Sequence, residues 1–471
     1  MIILTIAFFS TLFVLAILIA RGELLTTDGI VETGILKLEI EPKDANALVY
    51  LNNEPVKLVD KRINNLPAGE YSLRIEAADY STWEKQIQVS NGIVKELYIR
   101  LFPAIQEIVQ VTNSNIDKVF FSPDGEYAYY VVKYAELTAD NGIWQLELAQ
   151  SQIFFSKNEP KKIAALDDII SPLLATDYSI LGSPDGSKII LQNESNSERM
   201  LLTVGDFPQK NSTQMVKDLL GFEPIFVSWL DGSNSLLVAD HQALFEYDLQ
   251  ANRKNLIEYI KGNDVSFSMS SGIVYFLDNN GKLMSYNSGN LAPVLLKTAL
   301  LPANISRIIT PSENPNVLLL QTDGGDFVYV DLQHDFSESI AVVAAKYKSI
   351  SADGSTIIFE SNGKYMLYLS DHILAENKVV TSIVDPGLEA GMIKNIEFNA
   401  LSTHIVMLDE QLGQIVMAEK DGSNSFTLME QVQTNAAFGF DTKARIFYIL
   451  LVDEGNATSQ SISNLYKIEL D

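Results

Sequence analysis

The chain has four histidines, His241, His334, His372 and His404, and no cysteine. The histidines are scattered, without the short spacing of a zinc site, and the missing thiols exclude disulfides, thiolate metal sites and cysteine nucleophiles. No Gly-x-Ser-x-Gly occurs, so the nucleophile elbow of a serine hydrolase is absent, and no glycine loop of the phosphate-cradling kind is present. Asp-Gly-Ser-Asn-Ser occurs twice, at Asp231 to Ser235 and Asp421 to Ser425. Its oxygens suit calcium, but the further acidic ligands calcium favours are missing, and the phrase reads as a polar turn. Loop carboxylates such as Asp140, Asp240, Asp326 and Glu410 have no spacing that pairs them for acid–base work. The sequence therefore assigns no catalytic, cofactor-binding or metal-ligating residue, and no cofactor.

Composition narrows the partners. Of 471 residues, 47% are hydrophobic, enough for a sizeable core. Lys and Arg number 34 against 60 Asp and Glu, a formal net charge of −26, and nearly all of that excess falls after residue 102. Such a chain is repelled by nucleic acid and by an anionic bilayer surface, so nucleic acid is excluded as a partner.

The elements that would carry any site follow from one recurring phrase. FSPDGEYAYYVV at Phe121 to Val132 returns as GSPDGSKIILQN, SWLDGSNSLLVA and SISADGSTIIFE. Aligning the turn places a strand centre at Tyr129, Ile190, Leu236, Val274, Leu318, Ile358, Val406 and Phe447. A period of about 40 to 50 residues with several strands per unit is the signature of a β-propeller. Asp and Gly suit the bend and Pro pre-sets φ, so each repeat needs the same turn. The strand after the turn is nearly all apolar, as in KIILQN and NVLLLQ, and is expected to be the inner strand of each blade. A second strand follows, often opened by a hairpin glycine (Gly142, Gly281, Gly325, Gly363, Gly413), and then an outer strand such as PKKIAAL. The last unit lacks its outer strand, and IQEIVQVT at residues 105–112 is expected to supply it and close the ring. The phrase resembles the WD-like repeats of TolB-type propellers and of the propeller in prolyl-oligopeptidase-like enzymes. The count of phrases gives eight blades over residues 103–471, with seven as the alternative.

Residues 1–21 are expected to be a single transmembrane anchor. MIILTIAFFSTLFVLAILIA carries no charge, and twenty helical residues span about 30 Å, the thickness of the hydrocarbon core. A cleaved signal peptide would want a basic start and a small-x-small exit, which are missing. Residues 22–33 read as a polar linker. Over 34–102, ILKLEIE and EYSLRIEA alternate with period two, the mark of half-buried strands, and five or six short strands make a small sandwich. The stretch LPAGEYSLRIEAADYSTWEKQIQVSNGIVKELYIRL resembles the PEGA domain family, with Pro67, Ala68, Gly69, Glu70 and Tyr71 as its turn and outgoing strand. Where that family usually has Gly-Tyr after the central strand, this chain has Asp79-Tyr80.

The expected fold is thus all-β apart from one N-terminal transmembrane helix: a PEGA-like sandwich, then a propeller. The resemblance implies an extracytoplasmic, envelope-associated setting. The expected function is a membrane-tethered, non-catalytic binding scaffold whose partner is an envelope protein or a cell-wall polymer. The alternative is a glycan- or peptide-active enzyme with its site in the propeller channel.

Overall fold

The computed structural model describes residues 23–26, 29–122, 125–135, 137–148, 159–167, 170–175, 177–204, 212–230, 232–267, 272–287, 292–296, 301–373, 378–399, 401–432, 436–453 and 462–470. The chain divides into two compact units, the larger being Ile108–Ile468. Among the described residues helix is confined to Thr138–Asp140, Ile170–Leu173 and Val216–Leu220, and no helix there is long and apolar enough to cross a membrane. The expected anchor at residues 1–21 lies outside the described residues.

The small unit is a pair of four-stranded sheets. In one, the long strand Gly29–Glu41 pairs antiparallel with Glu23–Thr26 and Arg62–Pro67 and parallel with Val94–Arg100. The other runs in the order Glu54–Val56, Leu48–Leu51, Gly69–Glu76, Trp83–Val89. The linker expected over 22–33 is therefore partly a hairpin, with Leu25 opposite Ile30. Leu24, Leu25, Ile30 and Val31 are strand formers, which accounts for the pairing. Alternate residues of both sheets, among them Leu36, Leu38, Leu73, Ile75, Trp83 and Ile99, form one core. Each such side chain contributes about 1.5–3 kcal/mol on leaving water. The Tyr71 hydroxyl donates to the Pro67 carbonyl at 2.8 Å across the Pro67 turn.

Asp79 adopts φ +65°, the left-handed region where an L side chain is strained. That backbone geometry accounts for a glycine preference at this position. Asp79→Gly is expected to raise stability by about 0.5–1 kcal/mol, because relief of the left-handed conformation outweighs the added freedom of the unfolded glycine. The denaturant midpoint checks it, and a midpoint that stayed put or fell would refute it.

The large unit is a succession of four-strand antiparallel meanders. Meanders 1 and 2 span 116–165 and 178–215. Residues 226–295 form a continuous seven-stranded sheet, in which Arg253–Phe267 serves first as the fourth strand of meander 3 and then as the first strand of meander 4. Meanders 5, 6 and 7 span 305–339, 346–384 and 393–429. Meander 8 begins at Phe438–Phe440, and its fourth strand is Ile108–Gln110, which pairs antiparallel with Ile462–Glu469. The closing strand expected within 105–112 is therefore present.

All eight aligned positions, from Tyr129 to Phe447, fall in the second strand of their meanders and are at most 2% exposed. The expected strand order needs one correction. The first strands of adjacent meanders pack on each other, as Lys346–Ile350 does on Ile393–Phe398 and Ile116–Phe121 on Phe438–Phe440. The inner strand is therefore the one before the recurring turn. The apolar strand after the turn is second in its sheet, packed on both faces by neighbouring meanders. Clusters of buried side chains fill these seams, for example Tyr129, Ile143, Ile180 and Leu191 between meanders 1 and 2. Ile116, Tyr130, Ile446 and Leu465 do the same between meanders 1 and 8.

The recurring turn is also a seam device. In meander 2 the Ser183 hydroxyl donates to Asp185 Oδ1 at 2.9 Å, the Ser187 amide donates to the same oxygen at 2.8 Å, and the Asp185 amide donates to Ser233 Oγ of meander 3 at 3.2 Å. Meander 6 repeats the pattern: Ser351 Oγ and the Ser355 amide donate to Asp353 Oδ1, and the Asp353 amide reaches Ser402 Oγ of meander 7 at 3.2 Å. Burial pushes the Asp185 carboxyl up, but hydrogen bonds involving Ser187, Ser233 and Ser183 outweigh it and hold the group well below the usual carboxylate range. A depressed carboxyl contributes stability above its unfolded value and loses it as pH falls through the folded one.

Candidate functional site

A cavity of about 450 Å³ lies where the inner strands of meanders 6 and 7 meet the recurring turns. Its wall takes Lys348 and Ser349 from the first strand of meander 6 and Asn395 and Glu397 from that of meander 7. The turns add Glu313 from meander 5, Ala352 from meander 6, Asn399 from meander 7 and Thr442 from meander 8.

Local pairing fixes these strands. Tyr347 lies opposite Phe359 and Glu397 opposite Val406, with a register shift in each pair before the turn. Ile396 is buried in the seam between meanders 6 and 7, and its neighbours Asn395 and Glu397 share the wall of the cavity. The turn that follows is fastened by Asn399, whose Oδ1 accepts from the amides of Thr403 at 2.9 Å and His404 at 3.1 Å. The Glu313 amide donates to the Ala352 carbonyl at 2.8 Å and Asn314 Nδ2 to the Asp353 carbonyl at 3.1 Å, tying the rims of meanders 5 and 6.

Two carboxylates near the cavity differ in state. Glu360 accepts from Lys348 Nζ at 2.6 Å and Lys346 Nζ at 3.5 Å. The Lys348 hydrogen bond holds the Glu360 carboxyl below its ordinary value, and the same bond holds the Lys348 ammonium above its own. Glu397 accepts from Asn395 Nδ2 at 2.9 Å, and no cation among the described residues pairs with it. Its side chain is exposed to the cavity yet ringed by protein atoms. Desolvation by those surroundings pushes its carboxyl up, against the lowering effect of the Asn395 amide.

The loop acids named from sequence do not meet here. Asp140, Asp240, Asp326 and Glu410 sit in the second-to-third-strand connections of meanders 1, 3, 5 and 7. In an antiparallel meander those connections lie at the opposite end from the recurring turns. Asp240 is occupied as a turn acceptor for the amides of Gln242 and Ala243, each at 2.8 Å. His334 pairs with Asp331 at 2.7 Å and His404 with Thr403 Oγ1 at 2.9 Å, while His241 lies in a turn of meander 3 and His372 in a strand of meander 6. The second DGSNS phrase is a hairpin turn in which Ser423 donates to Asp421 Oδ1 from its amide and hydroxyl. In the first, Asp231 lies outside the described residues, and Ser233 receives the seam bond from Asp185. Sequence reading missed Lys348, Asn395 and Glu397. The available signal was polar alternation in KYKSI and IKNIEF directly before a turn.

Residues 35–105 match the PEGA domain family. No curated protein sequence matches the chain. Among solved structures, the WD40 domain of SCAP from fission yeast aligns at TM-score 0.45 and 11% identity, covering 78% of this chain and 94% of that one. YCF48 from Cyanidioschyzon merolae aligns at TM-score 0.36 and 13% identity, covering 77% of this chain and 98% of that one. The β-propeller domain of Cps50 (Swd1) from Myceliophteria thermophila aligns at TM-score 0.37 and 8% identity, covering 77% of this chain and 99% of that one. The β-propeller fold of the large unit rests on its own strand pairing, set out above.

Proposed function

We propose that the chain is a membrane-tethered, extracytoplasmic binding scaffold without catalytic activity. Residues 103–471 form an eight-bladed propeller, residues 34–102 a PEGA-like spacer, and Met1–Ala20 the span that holds both to the membrane. The observation that supports binding is the cavity: strands and turns of four meanders present hydrogen-bonding groups on one wall. The partner is an envelope protein or a cell-wall polymer, the surfaces within reach of a tethered domain. A glycan- or peptide-active enzyme is the second reading, and Glu397, with its raised carboxyl, is the residue that favours it.

The test is co-sedimentation of the full-length chain, in detergent, with peptidoglycan sacculi. Retention on sacculi without release of soluble fragments is expected. Fragment release that vanished in Glu397→Gln would establish the enzyme instead. Retention of the chain in membranes through alkaline carbonate, and activity of a periplasmic-type reporter at its C-terminus, are the results expected for tether and side. Release by carbonate overturns the tether, and activity from a cytoplasmic reporter alone overturns the location.

A further inference from the structure

The cavity wall is unbalanced in charge. Its one lysine, Lys348, is held by Glu360 at 2.6 Å. Asn395 spends its amide nitrogen on Glu397 Oε1, at 2.9 Å, which leaves the amide oxygen and the second carboxylate oxygen as acceptors two residues apart on the same wall. Glu313 on the facing turn brings another carboxylate, unpaired among the described residues. Two wall carboxylates, Glu397 and Glu313, thus lack a cation partner among the described residues, and in a space of about 450 Å³ they call for a slender, positively charged ligand group rich in N–H. The negative charge concentrated after residue 102 adds long-range attraction for such a group.

We propose that this cavity receives a basic side chain of a bound peptide, its ammonium or guanidinium seated on Glu397 and the Asn395 amide oxygen. The proposal rests on the scaffold reading and names the chemistry of its partner. An acidic ligand would meet two carboxylates and a lysine already held by Glu360, and an apolar one would strand the carboxylates, so the wall selects against both. The bond formed is a charge-assisted hydrogen bond, about twice as strong as a neutral one.

Calorimetry with the full-length chain in detergent decides it, using acetyl-Gly-Lys-Gly-amide and the same peptide with acetyllysine or glutamate in place of lysine. The lysine peptide is expected to bind at least about tenfold more tightly than the acetyllysine form, the scale of one charge-assisted bond. Glu397→Gln should weaken it about tenfold with the melting temperature unchanged. Asn395→Asp adds a carboxylate at the same place and should tighten it several-fold, a gain that a folding defect cannot mimic. Equal binding of the acetyllysine peptide, absence of lysine-peptide binding, or indifference to both substitutions overturns the proposal. Sacculi retention that persists in those cases leaves the scaffold reading standing, so the two failures are separable.

Discussion

Gly354→Ala is expected to destabilise the large unit by about 3 kcal/mol, several times the effect of a typical surface substitution. Two costs combine. Gly354 has φ +75°, so an alanine there pays about 1–2 kcal/mol for the left-handed conformation. Its new Cβ would also lie 2.8 Å from Val317 Cγ1, 3.0 Å from Val317 Cβ and 3.1 Å from Pro311 Cγ. Val317 starts the second strand of meander 5 and is 2% exposed, so it cannot swing aside, and overpacking adds about 1–3 kcal/mol. Gly363→Ala is the paired control: its φ is +79°, but nothing lies within 4 Å of the added carbon. Denaturant midpoints should show Gly363→Ala losing only the backbone share. Equal losses would mean that the glycine serves the bend alone and does not set the distance between meanders. The same close approach recurs where Gly125 meets the Phe440 carbonyl and Gly186 meets the Tyr127 ring. The phrase repeats because its serine and aspartate close the turn while its glycine lets one meander approach the next.

That phrase made much of the large unit legible. Second strands such as Lys188–Asn193 and Val317–Thr322 are packed from both sides, so the sequence there is an apolar run beside a turn whose residues have few substitutes. First strands were hidden by the same logic. Tyr178–Gly182, Lys346–Ile350 and Phe438–Phe440 are only three to five residues long, so they carry no apolar run and any alternation in them is too brief to stand out. The residues of the candidate site sit on those strands, so missing the strands meant missing Lys348, Asn395 and Glu397. The fusion of meanders 3 and 4 was also invisible: Arg253–Phe267 contains Lys261, Gly262, Asn263 and Asp264, which read as a loop yet lie within one strand, across a shift of register. In the small unit the Asp79 departure from glycine was legible as a sequence anomaly, and the backbone at φ +65° supplies its meaning.

Val111→Pro tests the closure of the ring and should cost about 2–3 kcal/mol. The Val111 amide donates to the Leu465 carbonyl at 2.8 Å, at the exit of the strand Ile108–Gln110 that completes meander 8. Proline removes that donor and leaves the buried Leu465 carbonyl without its best partner. Gln110 already lies in a strand, so the restriction on the residue before proline adds little, and the loss reports on the bond itself. Three neighbouring contacts share the strain: Thr112 Oγ1 accepts from the Leu465 amide at 2.9 Å, the Ser114 amide donates to Asn464 Oδ1 at 2.8 Å, and the Ser463 amide to Asn115 Oδ1 at 3.3 Å. All of them join residues about 350 positions apart in the chain, so none is restored by local structure once the closing strand lifts. Ile116, Tyr130, Tyr448 and Leu465 pack across the same seam and would lose their cover together. The expected signature is a lower denaturant midpoint with proteolytic cleavage beginning between meanders 8 and 1. A shift under about 0.5 kcal/mol, or first cleavage at another seam, would show that the ring holds without its closing strand.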